Sequence, residues 1–298
     1  NKNVFINGGV LMSIKIVCDS ACDLPANLLE ELGIEELPIV VIKGEKEYFD
    51  KVNIDPEEVY SSMRDGEVFK TAQITPITFQ TSFEKHVKNG DQIIYIGFSS
   101  GLSATFQSAN IAKISIQEKY PDADITLIDT KAASGGYGLV VYEAGTILKN
   151  GGSKEEIIEA VEFLSENVDH IFTVDNIEYL YRGGRISRTN AILGGMLNIK
   201  PILEVNGGKL VPLEKIRGKN KVLKRMVDLV EKRNIDSDLS NTIFCITHGD
   251  DLETAEKLKS MLIEKYGASE FITNHIGGAI GAHVGPGALT LCYSKRKR

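Results

Sequence analysis

The densest run of side chains suited to binding or chemistry is Ser99-Ser100-Gly101-Leu102-Ser103-Ala104-Thr105, with four hydroxyls in seven residues. An apolar run, Ile93–Phe98, precedes it and reads as a strand. Leu102, Phe106, Ala109, Ala112 and Ile116 then recur at helical spacing and predict a helix over Leu102–Tyr120. Ligands of open α/β sheets sit at this end of a strand. The free N–H groups of the helix start, aided by the macrodipole, favour negative charge there. A single serine would be explained as a helix cap. Four hydroxyls point instead to a site for the head group of a small acidic ligand.

The same segment contains Gly97-Phe98-Ser99-Ser100-Gly101, a Gly-x-Ser-x-Gly pattern between a strand and a helix. That is the setting of a nucleophile elbow, so a stand-alone serine hydrolase or esterase using Ser99 is the alternative reading. It requires an acid and a histidine, for which His248 or His283 could serve. The chain carries 28 glycines, so a short glycine pattern also arises by chance.

Other polar segments lie along the chain. Lys70-Thr71-Ala72-Gln73-Ile74-Thr75-Pro76 reads as a helix entry with Thr75 as cap and Pro76 in the first turn, and Thr71 as a possible donor. Tyr181-Arg182-Gly183-Gly184-Arg185-Ile186-Ser187-Arg188 places three guanidinium forks in a glycine-rich loop, suited to phosphate or carboxylate. Ile216-Arg217-Gly218-Lys219-Asn220-Lys221 sets basic groups at a helix start, where they oppose the dipole and call for a partner. Gly277–Gly287 holds five glycines in eleven positions, and His283 is its one titratable side chain.

The elements that must position these groups alternate in the first half. Strands are predicted at Ile14–Cys18, Leu37–Ile42, Ile93–Phe98 and Ile125–Asp129. Helices are predicted at Pro25–Leu32, after Asp55, from Thr75 to Lys88, and from about Ala132. This alternation predicts a parallel sheet covered by helices, to about residue 165. Beyond it, Ile199–Val205 and Lys209–Ile216 flank Asn206-Gly207-Gly208 as a hairpin. Strands at Thr242–Thr247, Glu270–Thr273 and Ala288–Tyr293 complete an α+β half. The expected organisation is a leader over 1–11, an N-terminal α/β domain over 12–165 and a C-terminal α+β domain over 166–298.

Among 298 residues, 42% are hydrophobic and 25% charged, as in globular proteins. A net charge of −7 argues against nucleic acid as a partner. No stretch approaches the roughly 18 apolar residues of a membrane span, so membrane contact is expected to be transient at most. The four cysteines form no Cys-x-x-Cys pair and predict buried free thiols in a cytoplasmic protein, without a metal site. No Walker A or Gly-x-Gly-x-x-Gly pattern follows a strand, so no nucleotide cofactor is expected.

Seven blocks together resemble the DegV family of bacterial fatty-acid-binding proteins. They are Cys-Asp-Ser-Ala-Cys-Asp-Leu-Pro (18–25), Thr-Ala-Gln-Ile-Thr-Pro (71–76), Ser-Ser-Gly-Leu-Ser-Ala-Thr-Phe-Gln-Ser-Ala (99–109), Ile-Asp-Thr-Lys-Ala-Ala-Ser-Gly-Gly (128–136), Gly-Gly-Arg-Ile-Ser (183–187), Lys-Pro-Ile-Leu (200–203) and Gly-Ala-His-Val-Gly-Pro-Gly (281–287). The resemblance spans Ser13 to about Tyr293. It implies a two-domain DegV-like fold with a long-chain fatty acid buried between or beneath the domains. It implies that Thr71 and Ser103, with Ser99 and Ser100 nearby and His283 completing the site, hold the carboxylate. It further implies a non-catalytic role, as the lipid-binding subunit that presents the carboxylate to a separate ATP-binding fatty acid kinase subunit for acyl phosphate formation. Arg185 and Arg217 match positions linked with that partner or with the phosphorylated product. Ala72 replaces a hydroxyl usual in the family, and Ala104 replaces a glycine. A third reading is a binder of some other lipid or carboxylate.

Overall fold

The structure is a computed structural model that describes residues 5–7, 10–187, 199–234 and 238–294. Of the expected leader, residues 1–4 and 8–9 lie outside the described residues, as does Arg188 of the basic loop. Strands β1 (Phe5–Asn7) and β2 (Val10–Met12) pair as an antiparallel ribbon.

The first sheet contains β3 (Ile14–Asp19), β4 (Glu35–Leu37), β8 (Gln92–Gly97) and β9 (Ile125–Asp129). Its order is β4-β3-β8-β9 and every pairing is parallel. The central strands are nearly continuous apolar runs, as expected for strands covered on both faces. Helix α1 (Ala26–Leu32) ends at Gly33, whose φ of 65° suits glycine alone without strain. Helix α3 (Pro76–Lys88) starts as expected, with the Thr75 side chain accepting the Thr78 N–H at 3.3 Å. It packs beside α4 (Thr105–Lys119), while α5 (Ser134–Lys149) pairs with α6 (Lys154–Asn167).

Three expectations for this half are corrected. The single strand Leu37–Ile42 is two strands in two sheets, interrupted at Pro38-Ile39. The second piece, β5 (Val40–Lys43), joins β6 (Lys46–Phe49) and β7 (Phe69–Ala72) in a small antiparallel sheet ordered β6-β5-β7. Thr71 therefore sits on a strand, paired with Val41, and not on a helix entry. Helix α4 begins at Thr105, three residues later than the apolar spacing predicts. Ser103 accepts the Thr105 N–H at 3.2 Å and holds the preceding residues as a loop.

The second sheet holds β10 (Val168–Thr173), β11 (Ile199–Asn206), β12 (Lys209–Arg217), β13 (Ile243–His248), β14 (Glu270–His275) and β15 (Leu289–Ser294). The order is β12-β11-β10-β15-β13-β14, with β13 and β14 parallel and the other pairs antiparallel. The hairpin turn falls on Gly207-Gly208, with φ of 55° and 79°, as the double-positive turn demands. Helices α8 (Lys219–Arg233) and α9 (Leu252–Tyr266) cover this sheet with a second apolar core. Between the sheets, α5 packs on β3, β10, β13 and β15.

The glycine-rich run after β14 contains an unexpected helix, α10 (Gly278–Val284). Its glycines permit close packing, since a Cβ at Gly281 would lie 2.7 Å from the Tyr60 hydroxyl oxygen. It packs on α2 (Pro56–Arg64), β5, β7 and the short α7 (Glu178–Arg182). The larger apolar core thus runs from Ile16 and Ile94 through Tyr137 to Ala279, Ala282 and Cys292.

Candidate functional site

A cavity of about 290 Å³ opens where the two sheets, α10 and the 98–104 loop meet. Phe98, Leu102, Phe172, Leu180, Leu210 and Ile280 supply apolar wall. Thr71, Ser103, Arg185 and His283 also line it. The fold brings Thr71 on β7 and His283 on α10 together across 212 positions of sequence, with Oγ1 and Nε2 2.8 Å apart. Ser103 Oγ lies 3.0 Å from Thr105 Oγ1. It enters the wall from the loop that links the first sheet to α4.

Burial, reinforced by the neighbouring Arg185 and Arg182 guanidinium groups, pushes the His283 imidazole down to about 3. It is therefore neutral at physiological pH and acts by hydrogen bonding. Its Nδ1 is buried without a protein partner, against the backbone of Gly183. A Cβ at Gly183 would lie 2.1 Å from that nitrogen, so the ring occupies the space glycine leaves. Arg185 donates from Nε to the Leu102 carbonyl at 3.2 Å and from Nη1 to the Gly183 carbonyl at 2.5 Å. It ties the loop bearing Ser103 to the turn that backs His283.

Three sequence-predicted residues lie away from this cavity. Ser99 is fully buried, and its hydroxyl donates to the Gly208 carbonyl at 2.7 Å and accepts the Gly101 N–H at 3.2 Å. Ser100 is exposed. Its N–H donates to Asp129 at 3.1 Å and its hydroxyl accepts from Lys131 at 2.7 Å. Arg217 is exposed at the end of β12, opposite Ile199. The expectation that Ser99 and Ser100 donate to the ligand is corrected accordingly, because these hydroxyls hold the hairpin turn and the loop. Ser99 is hydrogen-bonded to a backbone carbonyl and to no imidazole, so the serine–histidine pair a hydrolase needs is not formed. His248 Nδ1 instead accepts the Asp251 N–H at 3.2 Å.

Sequence reasoning missed a buried polar layer behind the cavity. Asp19 accepts from the Tyr95 hydroxyl at 2.7 Å, the Phe98 N–H at 3.1 Å and the Tyr137 hydroxyl at 3.2 Å. Burial raises its carboxyl to about 6 against these bonds. Asp23, in the left-handed region at φ 53°, accepts the Gly277 N–H at 2.8 Å, and Asp50 accepts the Gly278 N–H at 2.8 Å. Two carboxylates thus meet the positive end of α10. Burial pushes Asp23 up to about 7, against the pull of Lys51. The signal was the pair of aspartates in Asp19-Ser20-Ala21-Cys22-Asp23, which reads locally as helix capping. No group of three or more metal-ligating side chains is poised to hold a metal among the described residues. Nor is any helix there long and apolar enough to cross a membrane.

The buried imidazoles make a testable statement about stability. Burial lowers His170, whose Nε2 accepts the Ala133 N–H at 3.2 Å, to about 4. The unfolded chain then binds more protons than the folded one between about pH 6.5 and 4. Stability through His170 is complete above the ordinary histidine value and falls as pH drops through that window. Asp19 and Asp23, raised in the fold, act in the opposite sense as pH falls. His170→Gln is expected to flatten the acid limb by up to about 3 kcal/mol, read as urea midpoints at successive pH values. An unchanged slope rules the effect out.

Two α/β halves enclosing an apolar pocket with a hydroxyl–imidazole end define a class of two-domain ligand-holding fold. The chain belongs to the DegV family, whose model matches residues 13–296. A DegV domain-containing protein of Clostridium perfringens is 41% identical over 93% of this chain and 96% of its own length. Among solved structures, a fatty-acid-binding DegV family protein from Thermus thermophilus is 29% identical, with TM-score 0.85, covering 95% of this chain and 99% of its own. DegV of Bacillus subtilis, a fatty acid binding protein, is 30% identical with TM-score 0.83, over 95% and 99%. A stearic acid-binding protein from Eubacterium ventriosum is 27% identical with TM-score 0.88, over 95% and 98%.

Proposed function

We propose that this chain binds a long-chain fatty acid in the cavity and presents its carboxylate to a separate ATP-binding kinase subunit, which forms the acyl phosphate. The chain itself carries no catalytic residue in this reading. The observation that carries it is the Thr71–His283 pair, 2.8 Å apart, which lines one mainly apolar cavity together with Ser103. Burying an acyl chain stabilises a complex by about 0.8 kcal/mol per CH₂. A buried carboxylate is costly unless hydrogen-bonded, and in this reading the Thr71 and Ser103 hydroxyls meet that need, with the imidazole of His283 orienting Thr71. Relatives that bind fatty acids share the fold over almost its full length. In this reading the half-buried Arg185 guanidinium, which lines the cavity, meets a phosphate arriving at the carboxylate, and the exposed Arg217 serves the partner. Four free cysteines favour a reducing, cytoplasmic setting.

Mass spectrometry of lipid extracted from the purified protein tests the first half of the reading. A stoichiometric fatty acid is expected. Its absence, together with no uptake of added stearic or oleic acid, refutes it. Incubation with ATP and a fatty acid is expected to give acyl phosphate with a kinase subunit and none without.

A further inference from the structure

Two wall residues, Ser134 and Thr290, have no part in the head-group cluster. Their hydroxyls belong to one continuous chain of hydrogen bonds. Asp23 takes the Gly277 N–H on Oδ1, which leaves Oδ2 to accept the Ser134 hydroxyl at 2.6 Å. Ser134 Oγ lies 2.7 Å from Thr247 Oγ1, which lies 2.6 Å from Thr290 Oγ1. With Asp23 ionised, each hydroxyl proton in this chain is directed toward the carboxylate. Thr290 Oγ1 also accepts the Thr247 N–H at 3.3 Å.

A hydroxyl oxygen has two acceptor positions. Thr290 fills one with the Thr247 N–H, and Ser134 fills one with the Thr247 hydroxyl. Ser134 keeps a second acceptor position, Thr290 has only the weak thiol of Cys292 beside its own, and with Asp23 ionised neither has a donor left for the cavity. An unsubstituted methylene chain offers nothing to these positions. A hydroxyl on the chain offers a donor.

We propose that Ser134 and Thr290 form a second polar subsite, which takes an acyl chain carrying a hydroxyl group part way along its length. The inference rests on the fatty-acid reading of the cavity and specifies its substrate class. The subsite is set apart from the head group along α10. Gly277, which shares Asp23 with Ser134, precedes that helix, and His283 lies in its last turn. Six residues of helical rise separate Gly277 from His283 by about 9 Å, and the position of the preferred hydroxyl along the chain is what an isomer series reads.

The test is competitive binding of stearic acid and a positional series of monohydroxystearic acids to the full chain. One isomer, or two adjacent ones, is expected to bind at least about tenfold more tightly than the others, because a hydroxyl elsewhere is buried against apolar wall. In Thr290→Val that ratio between isomers is expected to fall toward unity, and in Thr290→Ser to persist. A flat series in the unmodified protein overturns the inference, as does a preference that survives Thr290→Val. If the valine variant fails to fold, the series on the unmodified protein decides alone. Failure of stearic acid and every isomer to bind refutes the fatty-acid reading itself, whereas stearic acid binding with a flat series refutes only the subsite.

Discussion

His283→Ala is expected to weaken fatty acid binding by about ten- to a hundredfold, the range for a lost hydrogen bond to a charged group. The imidazole is neutral and its Nε2 is engaged with Thr71, so the loss is one of orienting the Thr71 hydroxyl and not of a counter-charge. Removing it also strips Thr71 of its 2.8 Å partner. Thr71→Val is therefore expected to cause a similar loss, and the double variant to be much less impaired than the product of the two effects. Such non-additivity is the mark of residues acting as a unit. His283→Gln keeps a neutral donor and is expected to recover part of the affinity. Isothermal titration with stearic acid on the unmodified protein and the four variants decides the matter. Unchanged affinity in His283→Ala, or strictly multiplicative losses, would remove the pair from the head-group site.

Asp19→Ala is expected to cost about 3–5 kcal/mol of folding stability, the range for breaking a buried, fully hydrogen-bonded network from one side. The side chain is fully buried. Its loss leaves the Tyr95 hydroxyl and the Phe98 N–H without an acceptor in the core, and deprives Tyr137 of one of its bonds. Phe98 opens the loop that carries Ser103, so ligand affinity is expected to fall with stability. Asp19→Asn is expected to lose less, because burial already favours the neutral carboxyl and holds it up to about 6. Urea denaturation at pH 7 measures both. A loss under about 1 kcal/mol in the alanine variant would show that the network adds little.

What could be read from the sequence followed local rules. The caps at Thr75 and Gly33, the strand Ile125–Asp129 and the Gly207-Gly208 hairpin each obey residues within a few positions of one another. The errors arose where distant contacts decide. Thr71 reads locally as a turn, yet it is held on a strand by Val41. Helix α10 is hidden by glycines that disfavour helix alone, and it forms because they let it lie against Tyr60 with its first amides on Asp23 and Asp50. Ser99 sits in the pattern of a nucleophile, but its role is fixed by a carbonyl 109 residues away. Ser103 and His283 were legible as candidates because hydroxyls at a helix start and a lone imidazole among glycines are local signals. Ser134 and Thr290 were not, since their relation is one of strand register and a shared neighbour.

The bond between Thr71 and His283 has a consequence for inheritance. The pair is drawn from two stretches of sequence 212 positions apart, and neither stretch holds it alone. Recombination that swaps one half for that of a distant relative would pair a strand with the wrong helix and a glycine turn with the wrong ring.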